Sequence, residues 1–198
     1  MPSRIDELLE HIVSLENELE TELNRARDRW RYRIEAGRVR FEREVAQAHK
    51  RLKQSVPRFL RESSLPNLLT APIIYLMVVP IAVLDLSMTV YQTICFPVYG
   101  IARVRRPAYI VIDRQHLAYL NVIEKLNCVY CGYANGVFAY MREVAARTEQ
   151  YWCPIRHAKR VRAPHSHYRT FVDYGDAEGY RRRLPILRGE LKQDRDER

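Results

Sequence analysis

Three patterns of apolar and polar residues run along the 198 residues of this chain, and each predicts a different element. The first fills residues 4 to about 56, where Leu8, Ile12, Leu15, Leu19, Leu23, Ala26, Trp30, Ile34, Gly37, Phe41, Val45, Ala48, Leu52, Val56 and Phe59 follow in steps of four and three. These steps repeat every 11 residues, a winding of about 3.67 residues per turn that keeps the stripe on one side of a single long helix. Only Gly37 departs from the apolar rule. Ser3 is placed to cap the start, Asp6 and Glu7 face the positive end of the helix dipole, and Pro57 marks the end or a kink. The chain offers no second helix of matching length to cover the stripe, so self-association or docking on another protein is expected.

In the second stretch the alternation stops. Residues 66 to 102 hold one charge, Asp85, with 19 uncharged residues before it and 17 after it. A soluble core helix seldom needs more than about 14 apolar residues, whereas a bilayer span needs about 20. The stretch therefore reads as a membrane hairpin of two arms. Asp85 is expected at its far turn, because a carboxylate at the bilayer centre costs about 2.5–3.5 kcal/mol. Pro72, Pro80 and Pro97 weaken the arms, so a re-entrant hairpin in one leaflet competes with two full spans. The bland alternative is a buried helix pair of a soluble protein.

The third pattern is helical again. After a short apolar run, Ala108 to Ile112, positions Leu117, Leu120, Ile123 and Leu126, then Val137, Tyr140, Val144 and Arg147, recur at three and four. Two helices joined near Gly132 to Gly136 are predicted. The end, Arg181 to Arg198, mixes both charges without an apolar stripe and reads as a surface helix or a disordered tail.

Charge changes this picture by adding orientation. Lys50, Arg51, Lys53, Arg58 and Arg61 precede the apolar stretch and Arg103, Arg105 and Arg106 follow it, which by the positive-inside rule puts both ends in the cytoplasm. The first helix is itself a charge dipole. Up to Asn24 it carries seven acidic residues against Arg4 alone; from Arg25 to Glu62 there are 13 Lys or Arg against five acidic residues. Each cation near anionic head groups contributes about 1 kcal/mol, so a stalk with its basic foot on the inner leaflet fits the gradient. The net charge of +9 could equally attract nucleic acid, but the stripe already accounts for Trp30 and Phe41, and a lipid bilayer explains the charge more simply. Six acidic residues in Met1 to Glu20 stand where a signal sequence would need a basic start and an apolar core, so no cleavable signal is expected. The four cysteines are then expected in or beside a reducing compartment, where thiols serve metals or redox chemistry more often than disulfides.

Chemistry concentrates between residues 128 and 167. Cys128 and Cys131 form a C-x-x-C able to grip one ion from a single turn, and Gly132 lets backbone amides approach the sulfurs. Cys153, followed by Pro154, and His157 add a thiolate and an imidazole, giving a Cys3His set suited to tetrahedral zinc, or to iron. His165 and His167 are alternates for His157. Such a site would clip the C-terminal region onto the helix pair and become part of the folding free energy. The competing readings are cysteines buried as small hydrophobes and a redox-active C-x-x-C pair. Asp113, His116, Glu124, Glu143 and Glu149 supply enough carboxylate and imidazole for a second metal site, and Cys153 with a histidine base would make a thiol nucleophile. None of these patterns names a reaction.

Cys128-Val-Tyr-Cys131-Gly-Tyr resembles the first knuckle of rubredoxins and Cys153-Pro154 the start of their second, whose last cysteine is missing here while His157 stands nearby. That resemblance implies an iron centre for one-electron transfer. Residues 113 to 180, with Cys-x-Tyr-Cys and Tyr-Trp-Cys-Pro-Ile, also resemble a family of bacterial membrane-associated proteins; this covers about a third of the chain and implies no activity.

The expected protein is mainly α: a stalk helix in 1–62, a membrane hairpin in 63–106, a metal-clipped helical domain in 107–180 and a charged tail in 181–198. It is expected at the inner, cytoplasmic membrane with both termini cytoplasmic. The expected role is a metal-binding scaffold or accessory subunit that oligomerises or docks a membrane-complex partner. The alternative is a membrane-bound metalloenzyme or electron carrier.

Overall fold

A computed structural model describes residues 4–29, 32–35 and 38–196, and it is mainly helical. The chain divides into two compact units, Met1–Arg61 with Asp113–Lys125, and Glu62–Ile112 with Leu126–Arg198.

In the first unit α1 (Arg4–Arg29) runs through a stretch free of Gly and Pro, and Leu15, Leu19 and Leu23 stand exposed on it. It does not continue to residue 56. β1 (Tyr32–Glu35) pairs antiparallel with β2 (Arg38–Phe41) in the register Tyr32 to Phe41, Arg33 to Arg40, Ile34 to Val39 and Glu35 to Arg38. The cause is a local period of two: Arg-Tyr-Arg-Ile-Glu before Ala36-Gly37 and Arg-Val-Arg-Phe-Glu after it alternate as half-exposed strands do. Ser3, Trp30 and Gly37 of the expected stripe and cap lie outside the described residues.

Two short helices follow, α2 (Arg43–Arg51) and α3 (Val56–Glu62). Pro57 sits at the second position of α3, where its missing N–H costs nothing, so it opens a helix instead of closing one. His49 on α2 meets Phe41 and Tyr119 edge-on, with ring centroids 5.2 and 5.3 Å away.

After α3 come α4 (Leu65–Leu76), α5 (Val78–Tyr99), α6 (Arg106–Tyr109) and α7 (Val122–Trp152), then a 3-10 turn at Ser166–Thr170 and α8 (Ala177–Asp196). α7 starts on a reciprocal cap: Asn121 Oδ1 accepts from the Glu124 amide at 3.0 Å, and Glu124 Oε2 accepts from the Asn121 amide at 2.8 Å. Asn121→Ala is expected to lower stability by about 1 kcal/mol, read as a lower urea midpoint with an unchanged slope.

The apolar stretch does not fold back at Asp85. Met77, between α4 and α5, keeps helical angles (φ −62°, ψ −14°), so the two follow on from one another. The interruption falls there because Pro80 has no N–H for the Leu76 carbonyl and its ring crowds it. Asp85 instead lies inside α5, buried, with Arg106 Nε and Nη2 at 2.9 and 2.6 Å and the Tyr133 hydroxyl at 3.0 Å. Gly100, at φ +70°, ends α5 in the left-handed conformation that suits a residue without a Cβ.

From Gly100 the chain turns back along the helix it has just left. Val104 N and O bond the side chain of buried Gln92 at 2.9 and 3.2 Å, Arg106 reaches Asp85, and Ile110 and Val111 pack on Gly136 and Gly132 of α7. α7 then runs in the same direction as α5, with Ile81 against Ala134 and Val137 near one end and Tyr99 on Tyr151 at the other. The predicted joint at Gly132 to Gly136 is absent. Both glycines sit mid-helix because the returning backbone needs their space: a Cβ on Gly136 would lie 2.8 Å from Ile110 Cα and 2.9 Å from the Tyr109 carbonyl oxygen. The core collects Phe96, Ile101, Val104, Tyr140, Val144 and Leu191. Leu187 and Leu191 are buried, so α8 carries an apolar anchor that the expected charged tail lacks.

Candidate functional site

Heptad spacing on α7 places Glu143, Arg147 and Gln150 along one face, and the segment after Cys153 returns His165 and His167 to it. A short parallel pairing fixes that return, with Val172 N donating to Pro154 O at 2.9 Å and Arg156 N to Val172 O at 2.7 Å. Glu143 Oε1 accepts from Arg147 Nε at 2.8 Å and faces His167 Nε2 at 3.1 Å. Arg147, only 3% exposed, also donates to the Ala102 carbonyl at 2.9 Å. Gln150 Nε2 donates to Leu187 O at 2.9 Å, which turns its Oε1 toward His167 Nδ1 at 2.5 Å. Both ring nitrogens of His167 thus face side-chain oxygens, one of Gln150 and one of Glu143. Burial alone would raise the Glu143 carboxyl, but the His167 and Arg147 hydrogen bonds and charges outweigh it and hold it at about 2.

A second pair lies beside the first, His165 Nε2 to Glu149 Oε2 at 2.9 Å, with the rings of His165 and His167 6.1 Å apart. Two cavities flank the cluster. One of about 470 Å³ is lined by Tyr109, Arg142, Glu143, His165 and Arg169; the other, about 320 Å³, by Gln150, His167, Thr170 and Glu190. Ala163 takes φ +53° at the rim, its carbonyl held by Arg142 Nη2 at 2.6 Å.

The predicted Cys3His set is not brought together. α7 is unbroken from Val122 to Trp152, so at 1.5 Å per residue Cys131 and Cys153 stand about 30 Å apart. Cys128 and Cys131 belong to its first half; Cys153 and His157 lie past its end, where the His157 ring stacks on Tyr168. Among the described residues no group of three or more Cys, His, Asp and Glu is placed to hold a metal ion. The Cys153 thiol is pushed up by burial and by the Glu149 charge, which works against its use as a nucleophile. The alternates His165 and His167 do converge with Glu149 and Glu143, two carboxylates noted in the sequence. Of the two residues that complete the cluster, Arg147 stands in the sequence only as a helix-face position and Gln150 carries no signal of its own.

Comparison with known proteins gives no matching family model, no similar curated protein and no similar solved structure.

Among the described residues one helix, Leu65–Tyr99, is long and apolar enough to cross a membrane, and 11% of its most apolar stretch is buried. Buried positions form one stripe on α5, Ile81, Asp85, Gln92 and Phe96. Around it Val83 is 58% exposed, Leu86 66%, Ile94 64% and Val98 77%. The exposed hydroxyls of Thr70, Ser87 and Thr93 each bond the carbonyl four residues earlier, at 2.9, 2.7 and 2.6 Å, so they need no water.

Proposed function

We propose that this chain is a membrane-anchored accessory or scaffold protein, held at the inner face of the cytoplasmic membrane by α4 and α5, with both termini in the cytoplasm. The observation that carries this reading is the apolar surface that Leu65–Tyr99 leaves uncovered. An exposed patch of this extent in water would drive aggregation, whereas in lipid it is at home.

A perpendicular crossing by α5 would carry Arg106, bound to mid-helix Asp85, to the middle of the bilayer at a cost of several kcal/mol. An in-plane or re-entrant seat avoids this. The outer face of α5 then enters one leaflet while the stripe of Asp85 and Gln92 stays against the protein. Thirty-five residues of helix rise about 52 Å, more than the roughly 30 Å of hydrocarbon, which also favours a tilted or in-plane path. The Glu143–His167–Arg147 cluster serves as a clip for residues 154–172, and the exposed Leu15, Leu19 and Leu23 of α1 form the face that docks a partner or a second copy.

Membrane fractions from cells expressing the full chain test this reading. The protein is expected to stay in the pellet through a high-salt and an alkaline carbonate wash and to leave it only with detergent. A compact monomer in the soluble fraction without detergent overturns it.

A further inference from the structure

At the end of α5 a cavity of about 430 Å³ opens, lined by Tyr151, Arg181, Leu184, Arg188, Gly189 and Lys192. Three of these residues are cationic and none is acidic. Among the described residues none of the three cations is drawn into an ion pair. Arg188 is aimed by the fold: its Nε donates to the Tyr151 carbonyl at 2.7 Å and its guanidinium lies 4.6 Å over the Tyr151 ring. The Lys192 stem passes where Gly100 has no side chain, 3.1 Å from the position of a Cβ.

The cavity has an aromatic threshold. Tyr99, the last residue of α5, stacks on Tyr151 at 5.1 Å, and Trp152, half exposed, meets both rings edge-on at 5.4 and 5.2 Å. Tyr and Trp rings gathered where an apolar helix ends are the side chains that settle at head-group depth, and a cationic recess beside them faces the phosphate layer.

We propose that this recess binds the phosphate head group of an anionic phospholipid, with the acyl chains continuing along the apolar surface of α5. Arg181 and Lys192 supply charge, Arg188 a fixed fork for the phosphate oxygens, and Leu184 an apolar wall at the glycerol. The proposal rests on the membrane reading above and adds lipid selectivity to it.

Native mass spectrometry of the full chain in delipidated detergent micelles tests it, with phosphatidylglycerol or phosphatidylcholine added. Wild-type protein is expected to retain phosphatidylglycerol in preference to phosphatidylcholine. The double variant Arg181→Gln/Lys192→Gln, which removes two cations without touching the Arg188 hydrogen bond, should bind it about thirtyfold more weakly. Arg160→Gln/Arg162→Gln, an equal change of charge away from the cavity, should bind as wild type. Equal retention of the two lipids, full binding by the first variant or equal loss in the second overturns the proposal. Displacement of the lipid by inorganic phosphate would mark a free-anion site and overturn the lipid assignment. Because micelles need no insertion, a chain that binds phosphatidylglycerol yet washes off membranes sinks only the anchor, and one that stays in membranes without lipid preference sinks only this site.

Discussion

Glu143→Ala is expected to cost about 3–5 kcal/mol of folding stability, the range for removing one partner of a buried charged pair. The carboxylate is shared by Arg147 Nε and His167 Nε2, so its loss releases both the return segment and the centre of α7. The charge also sets a pH dependence. With its folded value near 2 against an ordinary 4.5, Glu143 contributes its full stabilisation above about pH 5 and loses it as the pH falls from about 4.5 to about 2. The gap corresponds to about 3 kcal/mol, consistent with the cost of deletion. Urea unfolding in detergent between pH 2 and 7 reads both effects. Glu143→Gln, which keeps the shape and an acceptor, should lose less than Ala at pH 7 and should flatten the acid limb. An acid limb unchanged in the Gln variant would mean that other carboxylates produce it.

Gly136→Val is expected to be nearly as damaging, about 3 kcal/mol, although valine replaces a residue that disfavours helix. A Cβ would press on Ile110 Cα and the Tyr109 carbonyl oxygen, which are backbone atoms with no rotamer to change. The returning segment would have to lift, and with it the Val104 bonds to Gln92 and the Arg106 grip on Asp85. Gly132→Ala, whose Cβ meets one carbonyl oxygen at 3.2 Å, should cost less. Thermal unfolding of the two variants in the same detergent measures the difference. A Gly136→Val chain that melts with wild type would show that residues 100–112 are not packed on α7 as described.

The mainly helical class and the apolar stretch were legible because both are local properties of composition and period. Turns set by distant partners were not. Asp85 reads as a hairpin tip when only its neighbours are considered, since the arginine that lets it sit inside a helix follows 21 residues later. At residues 32–41 two periods coexist: Ile34 and Phe41 satisfy an 11-residue repeat and a strand alternation equally, and the Ala36-Gly37 pair between two alternating runs is the local feature that favours the strands. Gly132 and Gly136 announce a close approach of backbone, which a joint and a packed helix both need.

For the candidate site the lesson is similar. A C-x-x-C followed by a Cys and a His predicts a metal only if the chain folds back between them, and the 31-residue α7 does not. His165, His167, Glu143 and Glu149 stand out in the sequence as residue types, but their pairing depends on where residues 154–172 return, and spacing alone does not encode that. Gln150 and Arg147 carry no motif and become meaningful only beside His167 and the Ala102 carbonyl.

The direction of α7 has a consequence for biosynthesis. Asp85 meets Arg106 21 residues downstream and Tyr133 48 residues downstream, and Gln92 meets Val104 after 12 residues and Tyr140 after 48, so the polar stripe of α5 is not fully satisfied until α7 has been made. At about 5–20 residues per second that interval lasts about 2–10 s, long enough for a bare apolar helix to aggregate unless lipid or a chaperone shields it. A nascent chain stopped before Tyr133 should therefore leave the polar stripe of α5 uncovered as well as its apolar face, and one extended past Tyr140 should cover the stripe while the apolar face still needs lipid.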